Sequence, residues 1–106
     1  MSAASSSVFG ARLKEARLSA GLSQKHLGIE AGLDRFVAST RINRYELGIH
    51  KVDYAFALRL AEVLRVPVAF FYADDEELAR LILIFGQLPQ RRRSDLLSHA
   101  ETLAAE

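Results

Sequence analysis

Apolar residues along this chain recur at helical spacing. Phe9, Leu13, Ala16 and Ala20 fall at i, i+4, i+7 and i+11, which predicts one face of a first helix that ends before Gly21. Ser23 is suited to cap a short second helix in which Leu27 and Ala31 point the same way, with Gly32 as its C-terminal stop. Ala38, Ile42, Tyr45 and Ile49 share one face of a third helix, which Gly48 ends near Leu47. Asp53 caps a fourth whose Ala57, Leu60, Ala61 and Leu64 face inward, and Pro67 suits the first turn of a fifth carrying Phe70 and Phe71. No segment alternates as a strand would, and no internal repeat is visible.

Beyond Tyr72 the pattern changes. Leu78, Leu81, Ile82, Leu83, Ile84 and Phe85 crowd more than one face of a helix expected over about residues 75–85, so it is expected to have neighbours on both sides. Gly86 and Pro89 mark a break, and Leu96, Leu97, Ala100, Leu103 and Ala104 form the apolar stripe of a final helix. The two helices read as a hairpin suited to dimerisation through Leu78, Leu81, Ile82 and Phe85; the alternative is a hairpin that simply enlarges the monomer core. The resulting division is a disordered tail over 1–7, a five-helix domain over 8–73 and a helical extension over 74–106.

Composition constrains the partners. The 106 residues are 50% hydrophobic and contain no cysteine, so neither disulfides nor thiolate metal sites stabilise the fold, and packing must do so. No apolar run approaches the ~20 residues that span a bilayer, and the first seven residues lack the basic-then-apolar order of a signal peptide, so a cytoplasmic protein with no membrane partner is expected. The net charge of +1 says little, but its distribution is uneven. Residues 1–73 hold 10 Lys and Arg against 6 Asp and Glu, a balance of +4; residues 74–106 hold 4 against 7, a balance of −3. A basic front of this kind would turn toward a polyphosphate.

Catalytic chemistry has no foothold. His26, His50 and His99 lie on separate predicted elements, and no glycine-rich phosphate loop or nucleophile elbow is present. Asp74, Asp75, Glu76 and Glu77 read as helix-start charge favoured by the dipole. No enzyme activity, cofactor or metal is expected.

The run Gly21-Leu22-Ser23-Gln24, followed by Leu27, Ala31-Gly32-Leu33, Ile42, Tyr45-Glu46 and Gly48, resembles the Cro and phage-repressor-like (XRE) helix-turn-helix family. Leu60-Ala61-Glu62-Val63-Leu64-Arg65-Val66-Pro67 is similar to that family's fourth helix and the start of its fifth. The resemblance covers roughly residues 8–73 and implies an all-α fold, a five-helix repressor-like DNA-binding domain followed by the C-terminal hairpin. In such a domain the second helix braces against the phosphate backbone while the third presents its N-terminal residues to base edges in the major groove.

What the resemblance implies can be carried over residue by residue. Ser39, Thr40, Arg41 and Arg44 take positions that read bases or hold adjacent phosphates, with Asn43 as a further amide candidate; an arginine can bridge guanine O6 and N7, and a threonine can offer its methyl to thymine. At the start of the second helix, by Ser23, unpaired N–H groups and the helix dipole favour a phosphate, and Gln24 adds an amide able to contact phosphate or base; His50 and Lys51, after the third, fall where relatives meet phosphates. Arg17 and Glu46 take the positions of a structural ion pair tying the first helix to the end of the third. The implied function is a sequence-specific transcriptional regulator, a repressor bound as a homodimer to a palindromic operator in double-stranded DNA at the bacterial nucleoid. A separate reading is an antitoxin-like module that neutralises a partner protein and binds DNA secondarily.

One departure from the family bears on geometry. The spacing between Gly32 and Glu46 is roughly four residues longer than usual, about one turn if helical. Either the third helix starts near Asp34 with Phe36 and Val37 inside it, or residues 33–37 form an enlarged turn and the helix starts near Ser39. The second arrangement is favoured, with Phe36 and Val37 packed on the body or, alternatively, touching DNA. Val52 stands where proline is common, and Arg65 where glycine is usual.

Overall fold

A computed structural model describes residues 7–106, all of whose regular structure is helical. Six α-helices follow in order: α1 (Val8–Ser19), α2 (Gln24–Glu30), α3 (Ala38–Glu46), α4 (Tyr54–Leu64), α5 (Glu76–Gln87) and α6 (Gln90–Ala104). A 3-10 helix, Val68–Tyr72, lies between α4 and α5 in place of the expected fifth α-helix. Pro67 precedes it in extended conformation instead of opening its first turn. Residues 1–6 of the expected tail lie outside the described residues, and Ser7 is not part of a tail: its hydroxyl accepts a hydrogen bond from the Gly10 N–H at 2.8 Å and caps α1.

Local capping also sets the starts of α2, α4 and α5. Ser23 Oγ accepts from His26 N, Asp53 Oδ1 from Phe56 N and Asp75 Oδ1 from Leu78 N, each satisfying a donor that the first turn cannot pair internally. Each of α1, α2, α3 and α4 then contributes one large, fully buried aliphatic residue, Leu13, Leu27, Ile42 and Leu60 respectively, to a core closed by Phe70 and Phe71. Phe9 packs on Phe71 with ring centroids 4.9 Å apart, fastening α1 to the 3-10 helix. Two residues assigned to inward faces turn outward: Ala20 follows the last residue of α1, and Ile49 lies past the Gly48 turn (φ +76°), which rotates it away from the α3 stripe.

The hairpin meets this body along one side only. Of α5, Ala79 alone is buried, with Ile82 and Leu83 resting against the core; α6 has no buried residue. The expected neighbours on both sides of α5 are therefore not both supplied within one chain. Gly86 does not break α5, which continues to Gln87; it seats the helix on Pro67, where a Cβ would come within 2.6 Å of Pro67 Cγ. Arg93 donates to the carbonyls of Phe85 and Gly86 at 2.9 and 3.0 Å, pairing acceptors at the end of α5.

Candidate DNA interface

The connection between α2 and α3, longer than in the family that the sequence resembles, is a turn, not extra helix. α2 ends in a left-handed conformation at Gly32 (φ +102°), with Leu33 N donating to Gly28 O at 2.9 Å. Asp34 then winds the inserted residues: its carboxylate accepts from Phe36 N at 2.8 Å, and its carbonyl accepts from Val37 N and Ala38 N. α3 starts at Ala38, which is fully buried against Gly28. A Cβ on Gly28 would lie 2.7 Å from Ala38 Cβ, so the absence of a side chain there lets the two helices cross at close range. Phe36 does not pack on the body. It is 82% exposed, with the Arg35 guanidinium 5.0 Å from its ring centre, because the Asp34 turn directs it away from the core.

This turn fixes the rotation of α3. Ala38, Ile42, Tyr45 and Glu46 are buried, and Ser39, Thr40, Arg41, Asn43 and Arg44 are exposed. His50 and Lys51, just beyond, are exposed as well, as is Ser23 at the start of α2. Among the described residues none of Arg41, Arg44 and Lys51 enters an ion pair, and the single carboxylate between residues 38 and 51 is the buried Glu46. The outer face of α3 thus carries uncompensated positive charge beside hydroxyl and amide groups, a composition suited to phosphates and base edges.

Behind that face runs a polar chain. Arg17 Nε donates to Glu46 Oε2 at 2.5 Å and Arg17 Nη2 to Oε1 at 3.1 Å, while Nη1 donates to Leu22 O at 2.9 Å. The two side chains are 9% and 3% exposed, so this bidentate pair is secluded from water. Gln24 joins it: its Nε2 donates to Glu46 Oε1 at 3.0 Å and to Asn43 Oδ1 at 3.1 Å. The bond to Glu46 is partly buried, and the one to Asn43 lies at the exposed surface. The register of α3 against α2 brings these two acceptors beside the amide that sequence expects at a phosphate or base.

Sequence reading passed over Arg12. Its guanidinium donates to Ala73 O at 2.8 Å, Asp74 O at 3.2 Å and the carboxylates of Glu15 and Glu76 at 3.0 Å each, and lies 5.6 Å from the Phe70 ring centre. Burial works against its charge, but hydrogen bonds to Glu15 and Glu76 and the attraction of those carboxylates outweigh it and raise its pKa. It ties α1 to the entry of α5. A signal was available, since Arg12 sits within the apolar stripe of Phe9, Leu13 and Ala16, where an unpaired charge would be costly.

On the hairpin, Leu78, Leu81 and Phe85 are exposed and Ile82 is half-buried. With Pro67, Ala69, Leu96, Leu97 and Ala100 they line an apolar groove of about 410 Å³ between α5 and α6. Among the described residues no group of three or more His, Asp or Glu side chains is arranged to hold a metal, and no helix is long and apolar enough to cross a membrane.

Comparison with known proteins bears on the whole arrangement. A family model described as a helix-turn-helix domain matches residues 8–70. Uncharacterized HTH-type transcriptional regulators of Sinorhizobium medicae (strain WSM419) and Rhizobium meliloti (strain 1021) are each 32% identical over 65 residues, 61% of this chain and 44% of theirs. The chain thus spans less than half the length of these curated relatives. Among solved structures, the crystal structure of the transcriptional regulator BswR superposes with a TM-score of 0.85 at 44% identity, covering 91% of this chain and 95% of that one. With the domain match running from α1 into the 3-10 helix, and a similar structure covering nearly the whole chain, this protein belongs to the helix-turn-helix family of transcriptional regulators and is of the XRE-like kind.

Proposed function

We propose that this chain is a homodimeric repressor that binds a palindromic operator in double-stranded DNA. The observation that carries the reading is the outer face of α3, where Ser39, Thr40, Arg41, Asn43 and Arg44 are exposed together on a helix whose other face is held by buried groups. In the major groove these five read bases, and Ser23, His50 and Lys51 hold flanking phosphates. Gln24 supports α3 from behind. Residues 8–73 form the DNA-binding domain and 74–106 the dimerisation element. Leu78, Leu81, Ile82 and Phe85 then meet the same residues of a second copy, covering apolar surface that one chain leaves in water. A two-fold dimer places its recognition helices about one helical turn apart, ~34 Å, and occludes a promoter that overlaps the site. Such a regulator works at the bacterial nucleoid and needs no cofactor.

The same apolar groove supports a second reading, in which the hairpin receives a segment of a different protein, as an antitoxin does. Selection from a randomised duplex pool at near-physiological salt, with sequencing of the bound fraction, separates the two. The expected result is an enriched palindrome, a dimer by sedimentation equilibrium, and a monomer for Leu81→Glu. A folded monomer that enriches no sequence would favour the partner-binding module.

A further inference from the structure

We infer that Phe36 is a specificity-determining residue, whose ring packs on the C5-methyl of a thymine beside the bases that α3 reads. The inference rests on the proposed reading of α3 as the recognition helix. It starts from exposure. Among the described residues Phe36 is the most exposed of the large apolar side chains, at 82%, whereas Leu33, three residues back, rests against the core. Backbone hydrogen bonds hold it outward. Ala38 N donates to Asp34 O at 2.9 Å and Val37 N to the same carbonyl at 3.1 Å, so residues 34–38 close a single turn. The bond from Arg41 N to Val37 O, at 2.8 Å, carries that winding into α3. At helical spacing Phe36 aligns with Thr40 and Asn43, at i+4 and i+7, and all three are exposed.

A recognition helix meets base edges with its N-terminal residues, and Phe36 stands two residues ahead of the first residue of α3. Its ring adds apolar surface to a face otherwise made of hydroxyl, amide and guanidinium groups. The apolar group that a base pair presents in the major groove is the thymine C5-methyl. The charge around the ring suits the same surroundings. The Arg35 guanidinium lies over it, 5.0 Å from the ring centre, and among the described residues enters no ion pair. Asp34, the acidic side chain of the turn, is engaged within it, accepting from Phe36 N at 2.8 Å. The longer connection between α2 and α3 thus extends the reading face by one aromatic side chain.

The test uses the full chain and the operator recovered by duplex selection. Replacing thymine by uracil at one position at a time removes the methyl and leaves the hydrogen-bonding edge as it was. At one position in each half-site this should weaken binding of the wild-type protein about fourfold, the worth of one buried carbon. Phe36→Ala should bind thymine and uracil duplexes equally at that position, and, since the side chain is exposed, should leave thermal unfolding unchanged. Thr40→Ser, which removes the other methyl of this face, should keep the uracil effect there. A selected operator with no uracil effect, or with one that persists in Phe36→Ala, would sink the proposal alone. So would a loss in Phe36→Ala that is the same on thymine and uracil duplexes, the pattern of a ring wedged between bases without regard to the methyl. A wild-type protein that enriches no sequence would sink the recognition-helix reading, and the proposal with it.

Discussion

Arg17 and Glu46 stand 29 residues apart in the chain and share two hydrogen bonds at the point where α1, α2 and α3 converge. Because both side chains are secluded, removing one leaves the other charged and poorly solvated. Glu46→Ala is expected to cost about 3–5 kcal/mol in urea denaturation, a large share of the stability of a small domain. The double substitution Arg17→Met with Glu46→Leu should recover most of that loss, since it removes both charges and retains bulk. A single-variant loss below ~1 kcal/mol would mean that water reaches the pair.

Arg65 ends α4 in the left-handed conformation, at φ +58° and ψ +45°. A side chain with a Cβ pays a steric penalty there of roughly 1–2 kcal/mol, and glycine does not. Part of that gain is offset by the freedom glycine adds to the unfolded chain. Arg65→Gly should therefore stabilise the protein by about 0.5–1 kcal/mol, seen as a higher Tm in calorimetry.

Gly28→Ala should act in the opposite direction. The added methyl meets Ala38 Cβ at 2.7 Å in the fully buried crossing of α2 and α3, and overpacking of this kind costs about 1–3 kcal/mol. Ala38→Gly in the same chain removes the shortest of these contacts and leaves those to the Ala38 backbone at 3.0 Å, so a double-mutant cycle should show a favourable coupling that recovers part of the loss. Additive losses would indicate that the helices simply move apart.

DNA-binding variants should separate by position. Arg44→Ala should lower discrimination at particular base pairs, by ~1–3 kcal/mol where its contact is bidentate. Lys51→Ala should weaken all sequences alike and reduce the salt slope by about 1. Titrations of specific and random duplexes across a salt series distinguish the two patterns, and equal losses on both duplexes for both variants would remove the distinction between reading and holding.

What the sequence determined by itself was the local grammar. Ser23, Asp53 and Asp75 announce helix starts because a cap bonds to an N–H only three residues away, and Gly32 and Gly48 announce stops because each meets a positive φ within its own turn. Motif order supplied the family and, through it, the pairing of Arg17 with Glu46, which spacing alone would not reveal. The tertiary structure decided whatever depends on the approach of distant segments. Arg12 bonds to a carbonyl 61 residues away, Gly86 is small because Pro67 crosses it, and Gln24 bonds to Glu46 and Asn43 because the Asp34 turn sets α3 at one rotation against α2. A capping bond is chosen by neighbours in the chain, whereas the orientation of a side-chain amide is chosen by whichever donors and acceptors the folded core brings beside it.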